Sequence, residues 1–188
     1  SRPFDGYTDP KASESKLLGD VFRQGDCWLN TGDLVRDQGL RHIQFVDRTG
    51  DTFRWRGENV ATGEVEGALT KCSSVEEGVV YGVEVSGHDG RAGMAAITLK
   101  AGQDFDGQAL ASTLCTELPA YAVPVFLRLR EAQDTTGTFK YRKVDLKRDG
   151  FDPARVDEPM YVLIDRKAGY EPLTDEAYLK VMAGQVRL

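Results

Sequence analysis

A carboxylate, an arginine and a late cluster of lysines are the residues here whose types and spacing could do chemistry. Thr31-Gly32-Asp33 closes the aromatic stretch Cys27-Trp28-Leu29-Asn30, and Phe45-Val46-Asp47-Arg48 begins twelve residues after Asp33. A carboxylate at Asp33 can accept hydrogen bonds from both hydroxyls of a ribose. An Asp after Gly equally caps the backbone of its own turn, so the tripeptide alone leaves both readings open. Lys140, Arg142, Lys143, Lys147 and Arg148 fall within nine residues, interrupted by Asp145. Most of that run reads as a solvated basic face on a late loop. The stretch SGHDGRAG holds three glycines and an arginine. A strand rather than a helix is expected to follow it, so it reads as a hairpin loop and not as a phosphate cradle. His88 has no Ser, Cys or carboxylate at a telling spacing and reads as a surface histidine.

The elements that must position these residues differ along the chain. From Cys27 to Val46, short strand candidates (CWLN, LVRD, LRHIQFV) are separated by Thr31-Gly32-Asp33 and by Asp37-Gln38-Gly39, which is the turn chemistry of an antiparallel meander. Thr52 to Arg56 reads as a strand. Thr62 to Cys72 reads as an amphipathic helix, with Val65, Ala68, Leu69 and Cys72 on one face and Glu64 and Glu66 in the first turn, where the helix dipole favours them. Val75 to Val85 and Met94 to Lys100 read as strands, Gln108 to Leu118 as a helix capped by Asp106 and stopped by Pro119, and Val125 to Arg130 as a strand. Asp134 to Gly137 reads as a polar loop, and Thr174 to Met182 as a helix capped by Thr174 and ended by Gly184. The fold class expected is α+β: a small mixed-sheet domain with packed helices, preceded by a short β-rich piece.

Composition narrows the function classes. The 188 residues are 40% hydrophobic and 29% charged, with a net charge of −6, which argues against a general nucleic-acid surface. There is no apolar run of membrane-spanning length. Cys27, Cys72 and Cys115 are widely spaced and lack CxxC pairing, so neither a zinc site nor a disulfide framework is expected; Cys72 and Cys115 read as small core residues. No metal-ligating residue is assigned, and the expected compartment is the cytoplasm. The opening SRPFDGYTDP carries no initiator Met, and residues upstream are expected, including any segment that associates with a membrane.

Taken in order, TGD, FVDR, Gly50-Asp51 and Arg56-Gly57-Glu58-Asn59 resemble the adenylate-forming superfamily of acyl- and aryl-CoA synthetases, firefly luciferase and peptide-synthetase adenylation domains. DRTGDTFRWRGENVATGEVE is most similar to the fatty acid transport protein / very-long-chain acyl-CoA synthetase branch. The likeness extends from FDGYTDP and KLLGDVFRQGD through GHDGRAGMA and TTGTFKYRK to GYEPLTDEAYLKVMAGQVRL.

The resemblance implies an ATP-dependent long- or very-long-chain fatty acid–CoA ligase that works through an acyl-adenylate. ATP, Mg2+ and CoA would serve it, with the metal held mainly by a larger domain upstream. Asp33 would hold the ribose of ATP, Arg48 its ribose and phosphate side, and Phe45 would pack near adenine or serve as ordinary strand core. Gly50 stands at the family's hinge, where relatives often carry Asp or Lys. Gly57 would line the CoA channel, and it also suits a turn. Leu118 to Pro124 matches a motif of structural role. The usual Ser-Gly-Lys or Asn-Gly-Lys triplet is absent; aligning FKYRK on GKxxRK puts the adenylation lysine at Lys140, with Lys143 the runner-up.

Residues 1–47 would then be the C-terminal end of the large AMP-binding domain, 48–51 the hinge, and 52–188 the mobile C-terminal domain. The family's phosphate loop and fatty-acid tunnel are not in this sequence, so the chain alone is expected to be inactive. Competing readings are a non-catalytic nucleotide-binding or regulatory module, an adenylating enzyme with a carrier-protein acceptor, and a membrane transporter contacting lipid through the basic cluster.

Overall fold

The computed structural model describes residues 14, 16–48, 51–131 and 143–188, with the backbone alone at 46–48. The chain divides into two compact units, Ser1–Thr49 and Gly50–Leu188.

The described residues of the first unit form two antiparallel hairpins. β1 (Leu17–Gly19) pairs with β2 (Cys27–Leu29) around a loop wound on Asp26. The Asp26 carboxylate accepts from the amides of Val21, Phe22 and Arg23 and from Trp28 Nε1 at 2.8 Å. The Trp28 bond, joined by the three amides, outweighs desolvation and holds the carboxyl below its ordinary value. β3 (Asp33–Gly39) pairs with β4 (His42–Arg48). The expected turn at Asp37-Gln38-Gly39 is corrected here: β3 runs through it, and the chain reverses at Leu40-Arg41. Both of those residues take positive φ, +50° and +65°, the pattern that matches the twist of a two-residue hairpin.

The second unit is built on a five-stranded mixed sheet ordered β11-β10-β9-β8-β7. β7 (Val75–Val83) and β8 (Ala92–Leu99) form an antiparallel hairpin, so SGHDGR lies in the hairpin loop as its sequence suggests, while the Ala92-Gly93 that follows already opens β8. The helix α2 (Gly107–Glu117) intervenes between β8 and its parallel partner β9 (Phe126–Arg130). A parallel pair cannot be closed by a tight turn. Asp106 caps α2, accepting from the amides of Gln108 and Ala109. β10 (Met160–Val162) adds antiparallel to β9, and β11 (Glu171–Pro172) to β10.

β8 is buried at every position from Ala92 to Thr98, so both faces of the sheet are covered. The amphipathic helix α1 (Thr62–Leu69) buries Val65, Ala68 and Leu69 as its spacing predicts. α3 (Lys143–Asp149) stands where a loop was expected, burying Leu146 within the basic run. α4 (Asp175–Met182) begins at the Thr174 cap, whose hydroxyl accepts from the Ala177 amide. Phe151 stacks on Phe126 at 4.1 Å, and the buried Tyr170 hydroxyl donates to the Pro124 carbonyl at 2.7 Å. Both contacts fasten the residues after α3 to the sheet.

The fold class is therefore α+β with a mixed sheet, as expected. Among the described residues no helix is long and apolar enough to cross a membrane.

Candidate active-site residues on two units

The β3–β4 register assembles the first group. Asp33 lies directly opposite Arg48, Leu34 opposite Asp47, and Val35 opposite Phe45, with a shift between Leu34 and Val35 that leaves Val46 as the extra residue of a bulge. In an unbroken strand, positions 45 and 48 would face opposite ways because side chains alternate. The bulge corrects this parity: 33 and 35 share a face of β3, so their partners 48 and 45 share it too. Three residues selected by type thus fall on one face of one hairpin. Phe45 is 59% exposed, which excludes it from a core within this unit. The turn before β3 is held locally, Asn30 Oδ1 accepting from the Gly32 amide and Thr31 Oγ1 from the Asp33 amide.

Gly57 belongs to the second unit. β5 (Phe53–Trp55) and β6 (Glu58–Val60) form a tight hairpin whose corner is Arg56-Gly57, at φ +52° and +86°. A Cβ on Gly57 would meet nothing within 4 Å. Its glycine is therefore required for backbone conformation, and the corner opens to free space. The hairpin is held to the β7–β8 loop: the Arg91 amide donates to the Arg54 carbonyl at 2.7 Å, and Trp55 bridges to Gly90. His88, exposed on that loop, lies 5.3 Å from the buried Trp55 ring.

Gly50 and Lys140 lie outside the described residues. Lys143 is described. Its ammonium is 3.1 Å from Glu66 Oε1, 3.2 Å from Thr62 Oγ1 and 4.0 Å from Asp51 Oδ2. Lys147 approaches the other oxygen of Asp51 at 3.8 Å. Glu66 does more than complement the α1 dipole: its Oε1 also accepts from the Val80 amide at 3.0 Å. The tie between Lys143, α1 and Asp51 went unseen in the sequence, where the partners stand 77 and 92 positions from Lys143 and share no periodicity with it.

Two further clusters lie in the second unit. Arg128, 7% exposed, donates to Glu158 Oε2 at 2.8 Å and lies 3.8 Å from Asp149, joining β9 to the end of α3 and to the residues that follow it. Beside it the Tyr81 hydroxyl is fully buried, and desolvation holds it well above the ordinary phenol range. An open cleft of about 440 Å³ is lined by Gly82, Arg91, Lys147, Phe151 and Tyr178 among others. It contains none of Asp33, Phe45, Arg48 and Gly57. Among the described residues no group of three or more His, Cys, Asp or Glu is placed to hold a metal ion.

Residues 64–140 match the AMP-binding enzyme C-terminal domain family. The chain belongs to the adenylate-forming family. Its relatives in the fatty-acid branch match along nearly its whole length. The medium/long-chain-fatty-acid–CoA ligase FadD6 of Mycobacterium tuberculosis is 54% identical over 98% of this chain and 31% of its own. Long-chain fatty acid transport protein 6 of Homo sapiens is 48% identical over 99% of this chain and 30% of its own. The chain thus spans about a third of the length of these curated relatives. Among solved structures, the o-succinylbenzoate CoA synthetase of Bacillus subtilis, in complex with an acyl-adenylate intermediate, superposes with a TM-score of 0.56. It is 26% identical and covers 67% of this chain and 24% of that one. The family match ends at residue 140, so α3, β10, β11 and α4 lie beyond it.

Proposed function

We propose that the complete protein containing this chain is an ATP-dependent fatty acid–CoA ligase. In this reading residues 1–47 end the large AMP-binding domain, 48–51 form the hinge and 52–188 the mobile domain. The observation that carries it is the similarity to a medium/long-chain-fatty-acid–CoA ligase across 98% of the chain. The shared face of Asp33, Phe45 and Arg48 supports the nucleotide part of the reading.

A carboxylate is a poor acylating agent. Its oxygen attacks the α-phosphorus of ATP, the bond to the β,γ-phosphate breaks and pyrophosphate leaves. The acyl-adenylate then gives its acyl carbon to the CoA thiol, which loses its proton as AMP departs. Asp33 accepts from the ribose hydroxyls and Arg48 binds the ribose and phosphate side, while Phe45 flanks adenine. Lys140 places a compact positive charge between fatty carboxylate and α-phosphate, where negative charge accumulates as the two anions meet. Rotation about Gly50 then exchanges Lys140 for the Gly57 corner, whose open surroundings leave room for the pantetheine arm.

Lys140→Ala in the complete protein tests this. The expected result is loss of ATP–pyrophosphate exchange, by roughly two to three orders of magnitude as for other charge-stabilising groups, with thioester formation from premade acyl-adenylate largely kept. Exchange at the wild-type rate would sink the assignment.

A further inference from the structure

We infer that Lys143 is a positioning residue of the adenylation half-reaction, anchoring the segment that carries Lys140 to the residue beside the pivot. This rests on the reading of Lys140 and Gly50 given above. The Lys143 ammonium donates to Thr62 Oγ1 at 3.2 Å, pairs with Glu66 Oε1 at 3.1 Å, and has the Asp51 carboxylate 4.0 Å away as a longer-range ion-pair partner. Two of these, Thr62 and Glu66, lie on α1, the first of them buried at 1% exposure. With its charge paired to Glu66 and its ammonium bonded to Thr62, Lys143 is committed to α1, which separates it from the adenylation role for which it was runner-up.

Its position explains what the anchor does. Lys143 is the first residue of α3 and follows Lys140 by three residues, so the Cα of Lys140 can lie no farther than roughly 11 Å from it. Asp51 adjoins Gly50 directly, with Cα atoms about 3.8 Å apart. The same ammonium therefore ties the chain beyond Lys140 to the chain beyond Gly50. Lys147 lies 3.8 Å from the second Asp51 oxygen, and the Val80 amide donates to Glu66 at 3.0 Å, so each carboxylate has a further partner. Lys143, Asp51 and Glu66 side chains are only 25%, 31% and 31% exposed, where ion pairs are screened less than on an open surface. Misplacement of a reacting group by about 1 Å can cost on the order of a hundredfold in rate.

The experiment compares Lys143→Met, Lys143→Arg and Lys140→Ala in the complete protein. It measures ATP–pyrophosphate exchange, thioester formation from premade acyl-adenylate, and Tm. Lys143→Met is expected to lower kcat of exchange by roughly ten- to a hundredfold, with KM for ATP and the thioester step within about twofold of wild type. Lys143→Arg, which keeps the charge and several donors, is expected to recover most of the exchange. Parallel loss in both half-reactions, tracking the fall in Tm, overturns positioning in favour of a purely structural tie. If exchange is lost in Lys140→Ala but unchanged in Lys143→Met, the positioning inference alone fails. If Lys140→Ala keeps exchange while Lys143→Met and Lys143→Arg both abolish it, the Lys140 assignment fails and Lys143 is itself the adenylation lysine.

Discussion

Gly90→Ala should loosen the attachment of the hairpin that presents Gly57. Gly90 has φ +85°, and a Cβ built there runs into the Arg54 carbonyl oxygen, with the carbonyl carbon 3.1 Å away. That oxygen accepts the Arg91 amide at 2.7 Å, so it cannot retreat without losing the bond that holds β5 to the loop. The left-handed conformation costs an alanine about 1 kcal/mol, and loss of the hydrogen bond about 1 kcal/mol more. A total of about 2 kcal/mol follows if the strand shifts rather than the loop unwinding. Gly87→Ala is the matched control: φ is +75°, but nothing lies within 4 Å of its Cβ, leaving only the conformational cost of about 1 kcal/mol. Any gain from a stiffer unfolded chain is common to both substitutions and cancels. Urea unfolding followed by tryptophan fluorescence reads the difference, because Trp55, 2% exposed, lies in this hairpin. Equal midpoints for the two variants would refute the account of how the hairpin is held.

Two further outcomes concern the same unit. Burial raises the Glu158 carboxyl, but the hydrogen bond from Arg128, a backbone bond and the charges of Arg128 and Arg130 outweigh it, leaving the group below its ordinary value. A carboxyl depressed on folding stabilises above its unfolded pKa, about 4.3, and that contribution disappears as pH falls through the lower folded value. Urea midpoints should thus drop on acidification below about pH 5, with a shallower drop in Glu158→Gln; identical slopes would count against the link. Asp106→Ala removes the α2 cap and should destabilise by about 1 kcal/mol, with faster hydrogen exchange at Gln108 and Ala109 and recovery in Asp106→Asn. Unchanged exchange at those amides would show that the cap is dispensable.

Local elements were legible wherever one element could declare itself. Val65, Ala68 and Leu69 mark α1 at helical spacing, Asp106 and Thr174 announce the starts of α2 and α4, and the apolar runs of β7 and β8 bracket a polar loop. Elements made by distant partners were not. β6 is only three residues, and its corner uses Arg56 at positive φ, a conformation no sequence rule assigns to arginine. β10 exists because Met160, Tyr161 and Val162 find β9 some thirty residues back, and α3 offers one buried residue, Leu146, within a run of charges. The candidate site divides in the same way. Asp33 and Arg48 were legible as residue types, but their direct opposition and the parity shift that brings position 45 to their side depend on a bulge at Val46. Lys143 read as a cation of the basic run and as the runner-up adenylation lysine, since nothing in its neighbourhood points to Asp51 or Thr62.

The bond from the Val80 amide to Glu66 has a bearing on self-association. β7 is the outermost strand of its sheet, and an outermost strand exposes amides on which another chain can build. At Val80 that amide is already occupied by a carboxylate, which is itself neutralised by Lys143. An incoming strand would have to displace an ion pair before forming its first rung there. The lysine proposed to steady the catalytic segment therefore also helps guard the domain against edge-to-edge aggregation.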